Sequence, residues 1–187
     1  MLFHEPGQDR KVAALSVKSM CDGIYYKKGE MTMNDTFWMQ EAIKEAKLAY
    51  QEDEIPVGCI IVKDQKIIAR AHNSKEKHNN SLHHAEINAI AQASAYLKDW
   101  RLSDCDMYVT LEPCLMCCGA IINARLRFVV YGAYDIKGGA VESLTHSFDI
   151  KGLNHKVNYL GGVLQADCAQ LLKDYFKHKR DENHPQL

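Results

Sequence analysis

The stretch that decides the fold of this chain is Pro113-Cys114-Leu115-Met116-Cys117, together with His84-Ala85-Glu86 upstream. One imidazole and two thiolates can provide three protein ligands for a tetrahedral Zn²⁺, and they leave its fourth position open to water. The acidic residue two places after the histidine can move that water's protons. The two stretches therefore predict a catalytic zinc site.

Each ligand is expected near the start of a helix. Pro113 opens an apolar run and is predicted to lie in the first turn, where a missing N–H costs little. Cys114 and Cys117 would then share one face of that helix, and the positive end of its dipole favours both thiolates. His84 and Glu86 are expected in the first turn of another helix. We predict His84, Cys114 and Cys117 as the metal ligands and Glu86 as the catalytic residue.

Neighbouring residues offer competing interpretations. Cys118 points about 100° around the helix from Cys117, and we predict that it is a buried apolar side chain. His83 lacks the spacing to the glutamate and is predicted to be a loop or cap residue. Alone, Cys-x-x-Cys would indicate a redox pair or half of a structural zinc site. Because Cys105 and Cys168 have no partner at ligand spacing, the open catalytic site is favoured.

Length and composition describe an ordinary globular chain. At 187 residues it suits one compact domain, and its residues are 47% apolar and 25% charged. Seven cysteines without a framework of spacings predict reduced thiols and a cytoplasmic protein. We expect no membrane span and no secretory signal. With a net charge of −1, a nucleic-acid substrate would need a local basic patch.

Residues 1–32 differ from the rest in showing neither a helical nor an alternating pattern. Lys27-Lys28-Gly29-Glu30, just before Met31 and Met33, can be encoded by a stretch containing GGAG, a bacterial ribosome-binding sequence. We expect residues 1–32 to be an N-terminal extension that is unstructured or not translated natively, and the zinc-dependent domain to span 33–187. An RNA-binding arm is the alternative, but basic and acidic residues there are nearly equal in number.

Beyond Thr36 the pattern alternates between helices and strands. Helices are predicted over 36–50 with Asp35 or Thr36 as cap, over 85–97 and over 167–179; strands over 56–62, 67–72, 106–110 and 128–132; and a polar loop over 78–82. Alternating elements imply a layered α/β domain with the zinc ligands at helix N-termini facing a sheet edge.

The segment from about Thr36 to Arg180 resembles the bacterial tRNA-specific adenosine deaminases, a branch of the cytidine deaminase superfamily. Its zinc residues fit the H-x-E…P-C-x-x-C pattern of nucleobase deaminases. Other matching pieces are Glu54 to Gly58, Tyr108 to Cys114, Leu153 to Val157 and the closing helix Leu171 to Arg180. The resemblance implies a three-layer α/β/α fold of cytidine-deaminase type, with a five-stranded mixed sheet, one Zn²⁺ per subunit and a homodimer.

The implied reaction is hydrolytic deamination of adenosine to inosine at the wobble position of tRNA-Arg, whose anticodon stem-loop presents unstacked bases. The resemblance implies that Asn73 hydrogen-bonds the base; alternatively it is an ordinary turn asparagine. It implies that Ile55 and Leu111 form apolar walls of the base pocket, unless they are simply core side chains. It also implies that Asp135 lies near the RNA backbone, and the alternative is a solvated loop acid.

Three further features accompany the resemblance. Glu112 is expected to orient a metal ligand. Four cations of the last helix can meet phosphates or simply suit the helix dipole: Lys173, Lys177, Lys179 and Arg180. Tyr134 is a departure, because it stands where the family is expected to have a basic residue, which puts that RNA contact in doubt.

Two rival functions stay open. A deaminase of a free nucleobase or nucleotide, of guanine or cytosine type, would share all four zinc-site residues; segment 153–157 and the basic last helix favour the tRNA branch. A non-catalytic zinc or redox-thiol module is the second rival, and the open coordination position and Glu86 argue against it.

Overall fold

The computed structural model describes residues 33–183, so our expectations for residues 1–32 lie outside the described residues. The helices are α1 Met33–Gln51, α2 Lys75–His78, α3 Ala85–Leu97, α4 Leu115–Asn123 and α5 Gln165–Asn183. The strands are β1 Gly58–Lys63, β2 Lys66–His72, β3 Asp106–Leu111, β4 Phe128–Ala133 and β5 Asn158–Leu160. A 3-10 turn, Ser147–Asp149, lies between β4 and β5.

The five strands form one mixed sheet in the order β2-β1-β3-β4-β5. β1 is antiparallel to both of its neighbours, while β3, β4 and β5 are parallel. Helix α4 connects the parallel strands β3 and β4, since parallel neighbours need a crossover connection. The expected five-stranded mixed sheet is confirmed.

Helices cover both faces of the sheet. On one face, Ala89 of α3 and Ile121 of α4 belong to a buried cluster with Met107 of β3. On the other face, Met39 of α1 joins Val130 of β4 and Cys168 of α5 in a second cluster. Because β3 is covered on both sides, its residues are buried in succession rather than alternately. The domain is therefore a three-layer α/β/α sandwich, as expected.

Helix α1 packs directly on the first residue of β1. A Cβ built on Gly58 would lie 2.1 Å from the carbonyl oxygen of Ala42 and 2.3 Å from the backbone nitrogen of Ala46. Only glycine permits this approach of helix backbone to strand backbone. The close packing holds the middle of α1 against the first residue of β1.

The structure corrects the expected ends of three elements. Neither Asp35 nor Thr36 is the N-cap, because α1 begins at Met33 and both residues lie inside it. The buried carboxylate of Asp35 accepts a hydrogen bond from the Tyr108 hydroxyl at 2.9 Å. Residues Lys75–His78 form α2, so the polar loop begins after His78. Pro113 precedes α4 rather than lying in its first turn, because Cys114 has extended backbone and is the N-cap.

Two further expectations concern cysteines and membranes. The six cysteines in the described range are free thiols, and Cys118 is fully buried as predicted, with its Sγ 3.6 Å from the Pro113 carbonyl oxygen. None of the helices within residues 33–183 combines the length and apolar character needed to cross a bilayer.

Candidate metal centre and active site

The N-termini of α3 and α4 bring the three predicted ligands together. His84 is the N-cap of α3 and Cys114 is the N-cap of α4, both with extended backbone, and Cys117 lies in the first turn of α4. The His84 imidazole makes no cap hydrogen bond to α3. Its Nδ1 faces the two thiols of α4 instead.

The donor atoms have the separations that a tetrahedral zinc ion requires. His84 Nδ1 lies 3.7 Å from Cys114 Sγ and 3.6 Å from Cys117 Sγ, and all three ligand atoms lie within 4.8 Å of one another. Bonds of about 2.3 Å to sulfur and about 2.0–2.1 Å to nitrogen, at a tetrahedral angle, place sulfur and nitrogen about 3.6 Å apart. Within residues 33–183 no fourth His, Cys, Asp or Glu joins this group, which fits a three-ligand site.

The thiols of the two cysteines differ in pKa. A hydrogen bond from Cys117 lowers the pKa of Cys114 to about 4, and the same bond raises the pKa of Cys117. A hydrogen bond with Cys114 also raises the pKa of His84, against the effect of its burial. The arrangement thus favours the thiolate form of Cys114, and a cation that binds there would displace the proton that stays on Cys117.

Glu86 is a buried acid beside this group. It lies in the first turn of α3, and 4% of its surface is exposed. Burial raises its pKa above the usual value for a glutamate. A carboxyl group in such a position can accept and return a proton in a space from which bulk water is excluded.

A cavity of about 170 Å³ opens onto these residues. Its lining combines the metal-site group with apolar and polar side chains: Ile55, Val57, Asn73, Lys75, His84, Glu86, Leu111, Glu112, Cys114 and Asp135. Concave sites with apolar walls and a few convergent polar groups are typical of small-molecule and base recognition.

Asn73 is held with one end of its amide pointing at α3. Its Oδ1 accepts a hydrogen bond from the Ala85 backbone N–H at 2.9 Å, and its own N–H donates to the Val57 carbonyl at 3.1 Å. The residue is 5% exposed. With the oxygen taken, the amide nitrogen is the donor that Asn73 offers to the cavity.

Glu112 organises the loop of residues 135–143, which contributes Asp135 to the cavity lining. Its carboxylate accepts hydrogen bonds from the backbone N–H groups of Asp135, Val141, Glu142 and Ser143 and from the Ser143 hydroxyl. Burial alone would raise the pKa of Glu112, but these donors outweigh it and the pKa is lowered. The loop that carries Asp135 is thereby tied to the end of β3.

Comparison with known proteins agrees with this geometry. Residues 33–180 match the family model of the MafB19-like deaminases. The tRNA-specific adenosine deaminase of Streptococcus pyogenes serotype M1 is 47% identical over 146 residues, which are 78% of this chain and 85% of that protein. The chain belongs to the tRNA-specific adenosine deaminase family.

Solved structures support this family and its fold. A structure from a study of A-to-I editing by tRNA:A34 deaminases is 42% identical, with a TM-score of 0.71, and the match covers 73% of this chain and 99% of that one. A guanine deaminase from Nitrosomonas europaea is 26% identical with a TM-score of 0.63, over 73% and 81% of the two chains. The deaminase fold therefore extends beyond the tRNA branch of the family.

The structure places the residues expected to bind substrate around a single cavity. Ile55, Leu111, Asn73 and Asp135 all line it together with Glu86. Their roles toward a substrate stay predictions, because position alone does not assign a partner.

One expectation for the metal site was wrong. Glu112 was expected to orient a metal ligand. In the part of the chain that the structure describes, its hydrogen bonds go instead to the loop of residues 135–143.

Sequence reasoning missed Lys75. This half-buried cation lines the cavity two residues after Asn73, at the start of α2. Of the cations on α5, Lys179 is bound to Asp53 at 2.5 Å and to Glu182 at 3.2 Å, whereas Lys173 and Lys177 are exposed.

Proposed function

We propose that this chain hydrolyses adenosine to inosine at the wobble position of the tRNA anticodon, with tRNA-Arg as substrate. The observation that carries the proposal is the His84, Cys114 and Cys117 group opening into one cavity with the buried Glu86. The names of the Streptococcus pyogenes relative and of the solved tRNA:A34 deaminase study support adenosine in tRNA as the target.

The donor set and its spacing fit Zn²⁺, which His84, Cys114 and Cys117 would hold. Bound there, zinc would supply a polarised water for attack on the ring. Glu86 accepts a proton from the attacking water and delivers it to N1 of the purine. It then takes the remaining proton of the water, now on the C6 hydroxyl, and passes it to the amino nitrogen, which leaves C6 as ammonia while the water oxygen stays on C6 as the carbonyl of inosine.

The remaining cavity residues bind and orient the base. The amide nitrogen of Asn73 donates a hydrogen bond to a ring acceptor, since its oxygen is already used by Ala85. Ile55 and Leu111 supply the apolar walls against which a flipped base packs. Asp135, on the loop held by Glu112, faces the ribose-phosphate backbone of the RNA.

We also propose a cytoplasmic homodimer. Free thiols throughout the described range suit a reducing compartment. Leu82, Leu115 and Ile136 are 55%, 62% and 81% exposed, and each is close in sequence to a residue of the metal group or the cavity. Exposed apolar side chains grouped in this way suit a second copy of the chain. Sedimentation equilibrium tests the dimer, and a monomer at micromolar concentration would contradict it.

An anticodon stem-loop of tRNA-Arg with an ACG anticodon tests the activity. The zinc-loaded protein is incubated with this RNA, which is then digested with nuclease and analysed for inosine by mass spectrometry. The same RNA with guanosine at the wobble position is the control. Deamination of free guanine, with no inosine formed in the RNA, would overturn the proposal in favour of a free-base deaminase.

A further inference from the structure

One side chain holds the chain on both sides of Asn73. Asn88 Nδ2 donates to the carbonyl oxygen of His72 at 3.0 Å and to the hydroxyl oxygen of Ser74 at 3.2 Å. His72 and Ser74 are the immediate neighbours of Asn73 in the sequence. The two bonds of Asn88 therefore bracket the residue expected to bind the base.

The bracketed segment lies where the regular hydrogen bonding of the sheet ends. His72 is the last residue of β2 and pairs with Gly58 of β1. The backbone N–H of Gly58 donates to the side-chain hydroxyl of Thr110 at 3.1 Å. Asn73 and Ser74 are 5% and 8% exposed. Buried polar groups beyond a strand need partners from elsewhere, and Asn88 supplies two of them.

Asn88 also connects the segment to the metal group. It lies one turn after His84 on α3, and its backbone N–H donates to the His84 carbonyl at 3.0 Å. Ala85, on the same helix, holds the Asn73 side chain through Oδ1. One helix thus carries His84, Glu86, the Ala85 contact with the Asn73 side chain and the Asn88 contacts with the residues on either side of Asn73.

We propose that Asn88 is a positioning residue that fixes Asn73 relative to the metal-binding end of α3. The inference rests on the proposed function, in which Asn73 binds the base. Without Asn88, the segment from His72 to Ser74 shifts while the metal ligands keep their places. The base is then held out of line with Glu86, and displacement of this kind slows chemistry more than it weakens binding.

The test replaces Asn88 with leucine, which keeps its size and removes both hydrogen bonds. We expect kcat/KM on the anticodon stem-loop to fall about 10- to 100-fold, chiefly through kcat. Zinc content should be unchanged, and the Kd for the RNA should change by less than about twofold because phosphate contacts dominate affinity. Loss of zinc in parallel with kcat would overturn the proposal, since it would indicate a general structural role.

Gln92 is a matched control one turn further along α3. Its Oε1 accepts a hydrogen bond from the Arg70 backbone N–H at 3.3 Å, so it too ties α3 to β2, but away from Asn73. Gln92→Leu should leave kcat/KM close to the wild-type value. An equal loss in N88L and Q92L would overturn the proposal.

A double-mutant cycle tests whether Asn88 acts through Asn73. If it does, Asn73→Ala combined with Asn88→Leu should be no slower than Asn73→Ala alone. Additive losses would contradict the inference. Where leucine prevents folding, Asn88→Ser serves in the same cycle. If the wild-type protein deaminates guanine and not the RNA, the proposed function fails by itself, and the cycle is measured on guanine.

Discussion

The carboxylate of Glu54 accepts a hydrogen bond from the backbone N–H of Lys77 at 2.9 Å. The first N–H groups of a helix have no partner within it, and the N-cap of α2, Ser74, makes no side-chain cap. Glu54 therefore caps α2 from a distant loop. The bond joins the loop that carries Ile55 to the helix that carries Lys75, and both of these residues line the cavity.

Removing this cap should destabilise the domain. Glu54 is 1% exposed, so Glu54→Ala leaves an unpaired N–H and a cavity. We expect the free energy of unfolding to fall by about 1–3 kcal/mol, measured by urea denaturation. Glu54→Gln keeps an oxygen acceptor and should cost less than about 1 kcal/mol. Equal losses in the two variants would show that the hydrogen bond to Lys77 is not the cause.

Loss of the Glu86 carboxylate should separate metal binding from turnover. Glu86→Gln keeps the size of the side chain and leaves His84, Cys114 and Cys117 intact. We expect zinc content to remain at one ion per chain while kcat falls about 10²- to 10⁴-fold, the usual contribution of a general acid–base group. Wild-type kcat in this variant would assign the proton transfers to another group.

Zinc content should depend on Cys114 and not on Cys118, which lies about one turn further along α4. Cys114→Ser replaces a donor of the metal group, and we expect zinc, measured by metal analysis after dialysis, to fall to a small fraction of one ion per chain. Cys118→Ala removes a buried thiol outside that group and should retain the ion. Chelation should inactivate the wild-type protein, and restored Zn²⁺ should reactivate it. Full zinc in C114S would contradict the assignment.

The metal group was predictable from sequence because each part of it is local. Cys114 and Cys117 share one helix start, and His84 and Glu86 share another. Sequence spacing therefore predicts which residues are neighbours within each pair, but not that the two pairs meet. The meeting of the two helix starts was supplied by the fold that the resemblance implied. The sheet was predictable for a similar reason, since the buried strands β1 and β4 are nearly continuous apolar runs.

Positioning contacts were not predictable, because they join residues far apart in sequence. Asp35 looked like a cap by residue type, yet it pairs with Tyr108 across the core. Glu112 was expected to serve the nearby metal ligands, but the loop of residues 135–143 folds over it. Nothing local distinguishes Glu54 or Asn88 from surface residues. Their partners are set by tertiary packing, which overrides residue-type preference.

Glu41 makes part of the stability dependent on pH. Hydrogen bonds from Lys44 and from Arg70, the latter at 2.6 Å, lower its pKa below the usual 4.5. A carboxyl with a lowered pKa in the folded state adds stability above its unfolded pKa and loses it as pH falls through the folded value. At pH 7 we expect Glu41→Gln to cost about 0.2–1 kcal/mol.

This cost should shrink as both proteins are acidified below pH 4.5, where the wild-type carboxyl also takes up a proton. Urea titrations at several pH values measure it. Glu76→Gln, on an exposed carboxylate of α2, is the control and should change little at any pH. If the cost of Glu41→Gln instead grew on acidification, the pKa of Glu41 would not be lowered in the folded protein.

The lysines of α5 should differ in their contribution to RNA binding. Lys173 and Lys177 are exposed, so each can neutralise a phosphate and release a counterion. Replacing either lysine with glutamine should reduce the slope of the logarithm of the RNA association constant against the logarithm of the salt concentration by about 0.7–0.9. Lys179 is held by Asp53 and Glu182, so Lys179→Gln should leave the slope unchanged and instead loosen the contact between α5 and the loop before β1. If K173Q and K177Q had the same salt slope as the wild-type protein, the RNA would bind to another face. If the salt slope of K179Q were reduced, the ion pairs of Lys179 with Asp53 and Glu182 would have to break when RNA binds.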